Sequence, residues 1–261
     1  MSINVNFETV VAIEILATYA TMMVCEAYFS GNAYPVKPLW CLHGFGFFAL
    51  NACFISLLSF ILPIEWLSNF HLYDCHGLGP IWGALLGYLL VSFFIYWWHR
   101  AAHHYPFLWQ WCHQVHHAPQ RVDMGGSTIF HPLEATIYTL FTFTVTDMML
   151  GLSPEATLLT LFITQFYGFF VHMNIRTPRW LGYLIQRPEA HGLHHHRRVT
   201  KVNYSDHPLW DLLFGTFCNP AEFSCEPMGF ADGADEHYVA LLLGQDVLSL
   251  ESPTQETLAT P

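Results

Sequence analysis

Residues 80–104, PIWGALLGYLLVSFFIYWWHRAAHH, run from Pro80 to Trp98 without a charged side chain and then present His99, His103 and His104 within six positions. An uncharged run of about 20 residues is the length at which a helix crosses a bilayer. Trp97 and Trp98 close the run with the indoles favoured at a membrane–water interface. His99 and His103, four apart, share one face of the same helix just beyond it. The stretch therefore predicts a spanning helix that carries metal-ligating side chains to the membrane surface.

Working outward, the chain has 261 residues, 53% hydrophobic and 11% charged, a balance unlike that of ordinary soluble domains. Residues 39–62 carry no charge, and 133–150 and 155–172 are nearly as apolar. The stretch 7–30 is interrupted by Glu8, Glu14 and Glu26 and reads as a further span with polar partners or as an interfacial helix. Core helices of a large soluble bundle would show similar runs, but not the placement of charge seen here. All nine basic residues (Lys37, Arg100, Arg121, Arg176, Arg179, Arg187, Arg197, Arg198 and Lys201) lie in 31–38, in 99–132 or after 172, whereas the connections 63–79 and 151–154 hold none. By the positive-inside bias the basic side is cytoplasmic. The expected fold is an all-α integral membrane helical bundle of four or five spans with a cytoplasmic histidine-rich di-metal cap.

The first stretch lacks the basic start and small-residue cleavage site of a signal peptide, so its retention is expected. Seven cysteines without a C-x-x-C pair fit a reducing compartment. Ten acidic residues and no Lys or Arg follow Lys201, which excludes nucleic acid as a partner.

Ten of the 17 histidines fall in three tracts, HRAAHH (99–104), HQVHH (113–117) and HGLHHH (191–196). A lone histidine is ordinarily a hydrogen-bonded core residue, and His43, His71, His76, His207 and His237 are read that way. Repetition of H-x-x-H-H points instead to metal, with enough donors for two ions. Pro106 ends the helix of the first tract, and FLWQWCHQVHH (107–117) resumes a helical period that Pro119 ends. The turn GLSP (151–154) joins two antiparallel helices into a transmembrane hairpin over 133–172, which returns His172 and the third tract to the side of the first two. Imidazole suits zinc, copper, iron and nickel alike. A structural zinc site usually brings cysteine and a zinc protease brings H-E-x-x-H, and the chain has neither pattern. A two-ion site that an apolar substrate reaches sideways from the lipid suits oxidation of lipid C–H bonds.

With FHPLE (130–134), VHMNI (171–175) and NYSDHPLWDLLFGTF (203–217), the ordered tracts resemble the fatty acid hydroxylase and sterol desaturase superfamily over roughly residues 80–220. The resemblance implies a membrane-bound non-haem di-iron oxidoreductase that uses dioxygen to hydroxylate or desaturate a lipid, whether sterol, fatty acyl, carotenoid or ether lipid. It implies as ligands of two iron ions His99, His103, His113, His116, His117, His191, His194 and His195, with His172 as the family's additional lone histidine. His131 also matches a family histidine, and a helix-start cap is an equal reading of it. His104 and His196 point about 100° away from their neighbours and read as supporting or surface residues, His196 being a departure from the family pattern. Glu134, Glu189 and Asp211 are the nearest carboxylates in sequence and could orient ligand imidazoles, with salt bridges to Arg187, Arg197 or Arg198 as the alternative. Trp210, Asp211, Phe214 and Gly215 are expected to form a packed turn that braces the site.

The expected organisation is membrane spans over 1–79, the catalytic domain over 80–220 and an acidic tail over 221–261. In the tail HYVALLLGQDVL (237–248) is a candidate amphipathic helix, and ESPTQETLATP (251–261) has too little apolar surface to order itself. The chain shows no Rossmann fingerprint, iron–sulfur cysteine pattern or H-P-G-G of a cytochrome b5 domain, so electrons are expected from a separate cytochrome b5-, ferredoxin- or flavoprotein-type donor. Two other classes use the same residues: a zinc-dependent membrane hydrolase, and a non-enzymatic membrane metal- or haem-binding protein. The second would want ligands at mid-membrane depth, whereas these lie at span ends and beyond.

Overall fold

The computed structural model describes residues 7–197 and 201–249, and every regular element within them is helical. The segment 251–261, read above as unordered, and Arg198 lie outside the described residues. Helices α1 (Phe7–Phe29), α2 (Trp40–Ile61), the short α3 (Ile64–Leu67) and α4 (Gly79–His104) form the first half. Three stretches among the described residues are long and apolar enough to cross a membrane: Thr9–Phe29, Trp40–Ile61 and His76–His104. Their outer faces leave large apolar side chains uncovered, among them Ile13, Leu16, Phe60 and Trp82, as suits helices whose solvent is lipid.

The inner face of α4 is a run of small residues. Gly83 and Gly87 lie so close to Ala156 and Thr160 of α8 (Pro154–His172) that an added Cβ at Gly87 would stand 2.5 Å from Thr160 Oγ1. Close approach of backbones through such residues is how helices associate without a hydrophobic drive between them. The α4–α8 contact sets the register that brings His99 and His103 level with His172. Helix α7 (Pro132–Phe143) continues through a π-helical turn (Thr144–Met149) to the turn before α8, where Ser153 caps α8 by accepting from Ala156 N. The backbone of Leu72, Tyr73 and Cys75 pairs with Met148, Met149 and Leu150 across this turn. Residues 133–172, expected above as a transmembrane hairpin, fall in α7, the π-helical turn and α8, and neither arm is among the three stretches of span length and hydropathy.

The cap consists of short pieces: α5 (Pro106–Leu108), a π-helical turn (Trp109–His113), α6 (Gln114–His117), α9 (Pro188–His194), α10 (Pro208–Phe214) and α11 (Tyr238–Leu242). Pro106, Pro132, Pro154, Pro188 and Pro208 each open a helix, where the missing N–H is not needed. Residues beyond 220 pack into this cap. Gly229 N donates to His195 O and Phe230 N to His117 O, so one strand of chain ties the second histidine tract to the third. Leu241 is fully buried with Val115, Ile129 and Trp40. The helix expected over 237–248 is shorter than the sequence suggests, because Gly244 turns at φ 64 beneath Trp111 and the chain resumes only as a 3-10 turn at Val247–Ser249.

Helix α2 docks on the cap through Trp40, Gly44, Phe47 and Asn51, one face at helical spacing. Trp40 Nε1 donates to Asp123 Oδ1 (2.7 Å), and Thr128 Oγ1 to Gly44 O (2.9 Å). Gly44 is required at this crossing, since an added Cβ would lie 2.0 Å from the carbonyl oxygen of Gly125, whereas Gly46 faces open space. Gly44→Ala should therefore destabilise the protein by about 1–3 kcal/mol, while Gly46→Ala is neutral or slightly stabilising. Thermal unfolding in detergent checks this, and equal melting temperatures for the two variants would contradict it.

Candidate metal centre

Nine histidines converge at the cap end of the bundle in two adjacent groups. His99, His103, His113, His117 and His194 form one and His116, His172, His191 and His195 the other, with the candidate donor atoms within 4.8 Å of one another in each group. All except His103 are buried. They come from α4, the π turn, α6, the end of α8, α9 and the residue after it. The two groups abut through the His117 and His195 rings, stacked with centroids 4.1 Å apart.

The second nitrogen of five rings is tied to a fixed acceptor. His99 Nδ1 donates to Tyr204 O (2.8 Å), His116 Nδ1 to Ile129 O (3.2 Å), His172 Nδ1 to Gly168 O (2.7 Å), His194 Nδ1 to Val202 O (2.7 Å) and His113 Nδ1 to Glu134 Oε1 (2.8 Å). A carbonyl oxygen only accepts, so the proton sits on Nδ1 and a neutral ring keeps a bare lone pair on Nε2. For His116 and His172 those bare nitrogens face each other 3.1 Å apart, and His172 and His191 Nε2 are again 3.1 Å apart. Two acceptors at that distance repel unless a cation lies between them. Nitrogens about 2.1 Å from one ion and at right angles are roughly 3.0 Å apart, which matches. In the other group His103 and His113 Nε2 are 3.0 Å apart, and Nε2 of His99, His117 and His194 are buried without a partner.

Protons are poor substitutes for such cations. Burial, reinforced by neighbouring imidazoles, pushes His191 and His195 well below the usual histidine range and His194 down to about 3. The donor set is therefore neutral, nitrogen-only and preorganised, and it fits two transition-metal ions of the kind imidazole favours.

The carboxylates divide. Glu134 is fully buried, and its Oε1 accepts from His113 Nδ1, Trp98 Nε1 (3.2 Å) and Tyr138 OH (3.1 Å). Glu189 reaches no histidine. It accepts from Thr177 N and Oγ1 and pairs with the fully buried Arg187 at 2.8 Å, the salt-bridge alternative left open above. Asp211 acts one step removed. It accepts from Tyr204 N, Ser205 N and Thr216 Oγ1, holding the loop whose Tyr204 carbonyl receives His99. Phe214 and Trp210 pack with Phe93 in the same turn, which Gly215 closes at φ 73.

His131 lies outside both groups: Nδ1 accepts from Leu133 N as the cap of α7, and Nε2 meets Leu242 O (3.1 Å). His207, in the second His-Pro-Leu sequence, caps α10 the same way. His104 is exposed against Tyr105, whereas His196 is buried with both ring nitrogens unpartnered under the Met228 segment. The sequence reading missed the main-chain acceptors and Tyr138, although Tyr138 stands four residues after Glu134 in one helix. It also missed Asp206, which lines the cavity beside the histidines.

Comparison with known proteins bears on this geometry. The family model described as fatty acid hydroxylase matches residues 84–216, just over half of the chain. Over 164 residues the chain is 28% identical to ornithine lipid hydroxylase OlsE of Rhizobium tropici, covering 61% of this chain and 49% of that protein. Over 167 residues it is 30% identical to alkylglycerol monooxygenase of Homo sapiens (62% and 36%), and over 157 residues 32% identical to very-long-chain aldehyde decarbonylase GL1-7 of Oryza sativa subsp. japonica (52% and 24%). The chain spans half or less of the length of these relatives. No solved structure matches it.

Two outcomes follow from the geometry. Glu134→Gln should weaken metal retention against a chelator about 10–100-fold, whereas Glu189→Gln should lower the melting temperature and leave retention unchanged. Equal effects of the two would contradict the division. For pH, an unfolded histidine takes its proton near about 6.5, while His194 folded does so at about 3. The unfolded chain binds more protons throughout that window, so stability is fully present above it and is lost as pH falls through it. The melting temperature should be flat above about pH 7 and decline steadily towards about pH 5, with metal released in parallel. A rise on acidification would contradict this.

Proposed function

The chain belongs to the fatty acid hydroxylase family, and from that membership we propose that it is a membrane-bound non-haem di-iron oxidoreductase that inserts oxygen from dioxygen into an unactivated C–H bond of a lipid. The observation that carries this reading is the pair of abutting all-imidazole groups at the end of one large cavity between the apolar helices. In this reading His99, His103, His113, His117 and His194 hold one iron ion, and His116, His172, His191 and His195 hold the other. Bound there, two iron ions supply the redox equivalents that let dioxygen react with an inert carbon.

The chain's own residues do the remaining work. The Nδ1 anchors fix five of the nine rings so that Nε2 points inward, and Glu134 sets the orientation of the His113 ring. The cavity runs from the histidines between α2, α7 and α8, and Phe48, Ile55, Leu161 and Phe169 give it apolar walls that keep water out and seat a hydrocarbon chain. The relatives named for an ornithine lipid and for alkylglycerol support a complex lipid as substrate and oxygen insertion as outcome. Electrons come from a separate cytochrome b5-, ferredoxin- or flavoprotein-type donor. A zinc hydrolase is the weaker reading, because the relatives named above include a lipid hydroxylase and a monooxygenase.

The domain organisation proposed is spans over 1–79 and a catalytic unit over 80–220, with the tail bracing it. The histidine cap faces the cytoplasm, where the basic residues cluster. A protein with its seven native cysteines replaced should be labelled from the cytoplasmic side at Glu222→Cys and not at Glu155→Cys; the reverse would contradict the orientation. For the chemistry, purified protein should contain about two iron atoms per chain. It should also place one labelled oxygen from isotopic dioxygen into a membrane lipid, detected by mass, and His113→Ala should abolish this. Full turnover by an iron-free sample would overturn the assignment.

A further inference from the structure

The cavity of about 460 Å³ that ends on the two histidine groups is a slot parallel to the bundle, with one face from each of α2, α7 and α8. Phe48, Ala52 and Ser56 on α2 and Leu161, Gln165 and Phe169 on α8 line it at four-residue spacing. Ile95 lines it too and belongs to the buried cluster of Val91, Val145 and Ala156 that closes the bundle on the side away from the histidines. Leu161 stands eleven residues before His172 in one helix, a depth of about 16 Å at the helical rise. One leaflet of a bilayer contributes about 15 Å of hydrocarbon. His172 is level with His99, which follows directly on the uncharged run closed by Trp97 and Trp98. The slot therefore begins at one membrane surface, beside the histidines, and ends near the midplane.

Its mouth runs along α2. Phe48, Ala52 and Ser56 line the slot and are at the same time exposed, whereas the lining residues of α7 and α8 are buried or half-buried. Helix α2 is of span length, so this open edge faces lipid. A hydrocarbon chain can thus slide in sideways along its length and keep the direction it has in its leaflet, methyl end towards the midplane. Turning it end over end would carry its polar group to a depth where no water pairs with it. The wall makes few demands of its own. Thr139, Thr142 and Thr164 each donate to the carbonyl four residues earlier, at 2.9–3.1 Å. Ser56 lies on the exposed edge, and the half-buried Gln165 amide, about 10 Å below His172 at the helical rise, has no hydrogen bond with a described residue.

We propose that this slot takes one hydrocarbon chain of a lipid from the leaflet on the histidine side, methyl end against the floor at Leu161 and polar end at the surface, so that the carbons beside the metal centre are those next to the polar group. The proposal rests on the oxygenase reading for the fate of those carbons, whereas the seating of the chain is tested without turnover. Full-length, metal-loaded protein in a neutral detergent is titrated with hexadecylphosphocholine and with the same molecule bearing an adamantyl group on its terminal carbon, and affinity is read by thermal shift. The plain chain should bind at least about tenfold more tightly, because the bulky end cannot reach the floor. Leu161→Trp should weaken binding of hexadecylphosphocholine at least about fivefold and that of decylphosphocholine less than about twofold. Gln165→Leu should bind the plain chain at least as tightly as wild type, since only methylenes face that position. In turnover with isotopic dioxygen, tandem mass spectrometry should find the label next to the polar end, at one position counted from that end whatever the chain length.

Equal affinity of wild-type protein for the plain and the capped chain overturns the proposal, even if the variants fail to fold. So does weaker binding by a folded Gln165→Leu, which would place a polar group of the ligand at mid-depth. Preference for the plain chain without oxygen transfer to any lipid counts against the oxygenase reading alone. Oxygen placed at a fixed distance from the methyl end counts against this proposal alone.

Discussion

Everything at the cap end of this molecule depends on one electrostatic constraint: bare imidazole lone pairs packed 3.0–3.1 Å apart where protons are poorly tolerated. Such a centre is repulsive by itself and stable with cations in it. The fold answers the constraint by fixing the opposite nitrogen of five rings to acceptors it cannot lose, four of them main-chain carbonyls from three segments of the chain. Each segment is then obliged to stay where it is. The small-residue crossing of α4 on α8, the docking of α2 through Gly44 and the clasp of residues 228–230 over two histidine tracts read as consequences.

The same constraint explains the distribution of carboxylates. A glutamate inside either histidine group would neutralise charge, but the groups are nitrogen-only. Negative charge enters one bond further out, at Glu134, shared among a histidine, an indole and a phenol. Glu189 neutralises the buried Arg187 instead, and Asp211 is spent on backbone N–H groups. Glu26 does related work far away in sequence, accepting from Met124 N and Asn174 N and so binding the end of α1 to the loops that carry the site.

Much of this was legible in the sequence. An apolar run ending in two tryptophans and a histidine pair at helical spacing placed α4, and Pro106, Pro119 and the GLSP turn marked the breaks. The nine histidines expected from three tracts and the lone His172 are the nine that the fold gathers. What stayed hidden is tertiary. Every residue has a carbonyl, so nothing in the sequence singles out Ile129, Gly168, Val202 and Tyr204 as the acceptors. Glu134 and Glu189 both stand a few residues from a histidine, and only the packing of α7 against the π-helical turn Trp109–His113 decides that the first meets one. Asp206 sits in an ordinary motif position, and its place in the cavity wall is a property of the fold. The acidic composition of the tail concealed the few apolar residues, Leu241 and Val247 among them, that seat it in the core.

The central claim, that the paired histidine groups hold two iron ions, is tested most directly by anomalous X-ray scattering at the iron edge from crystals of the aerobically purified protein. Two peaks are expected, one enclosed by His99, His103, His113, His117 and His194 and the other by His116, His172, His191 and His195. A single peak shared by both groups, or iron bound away from them, would contradict the account.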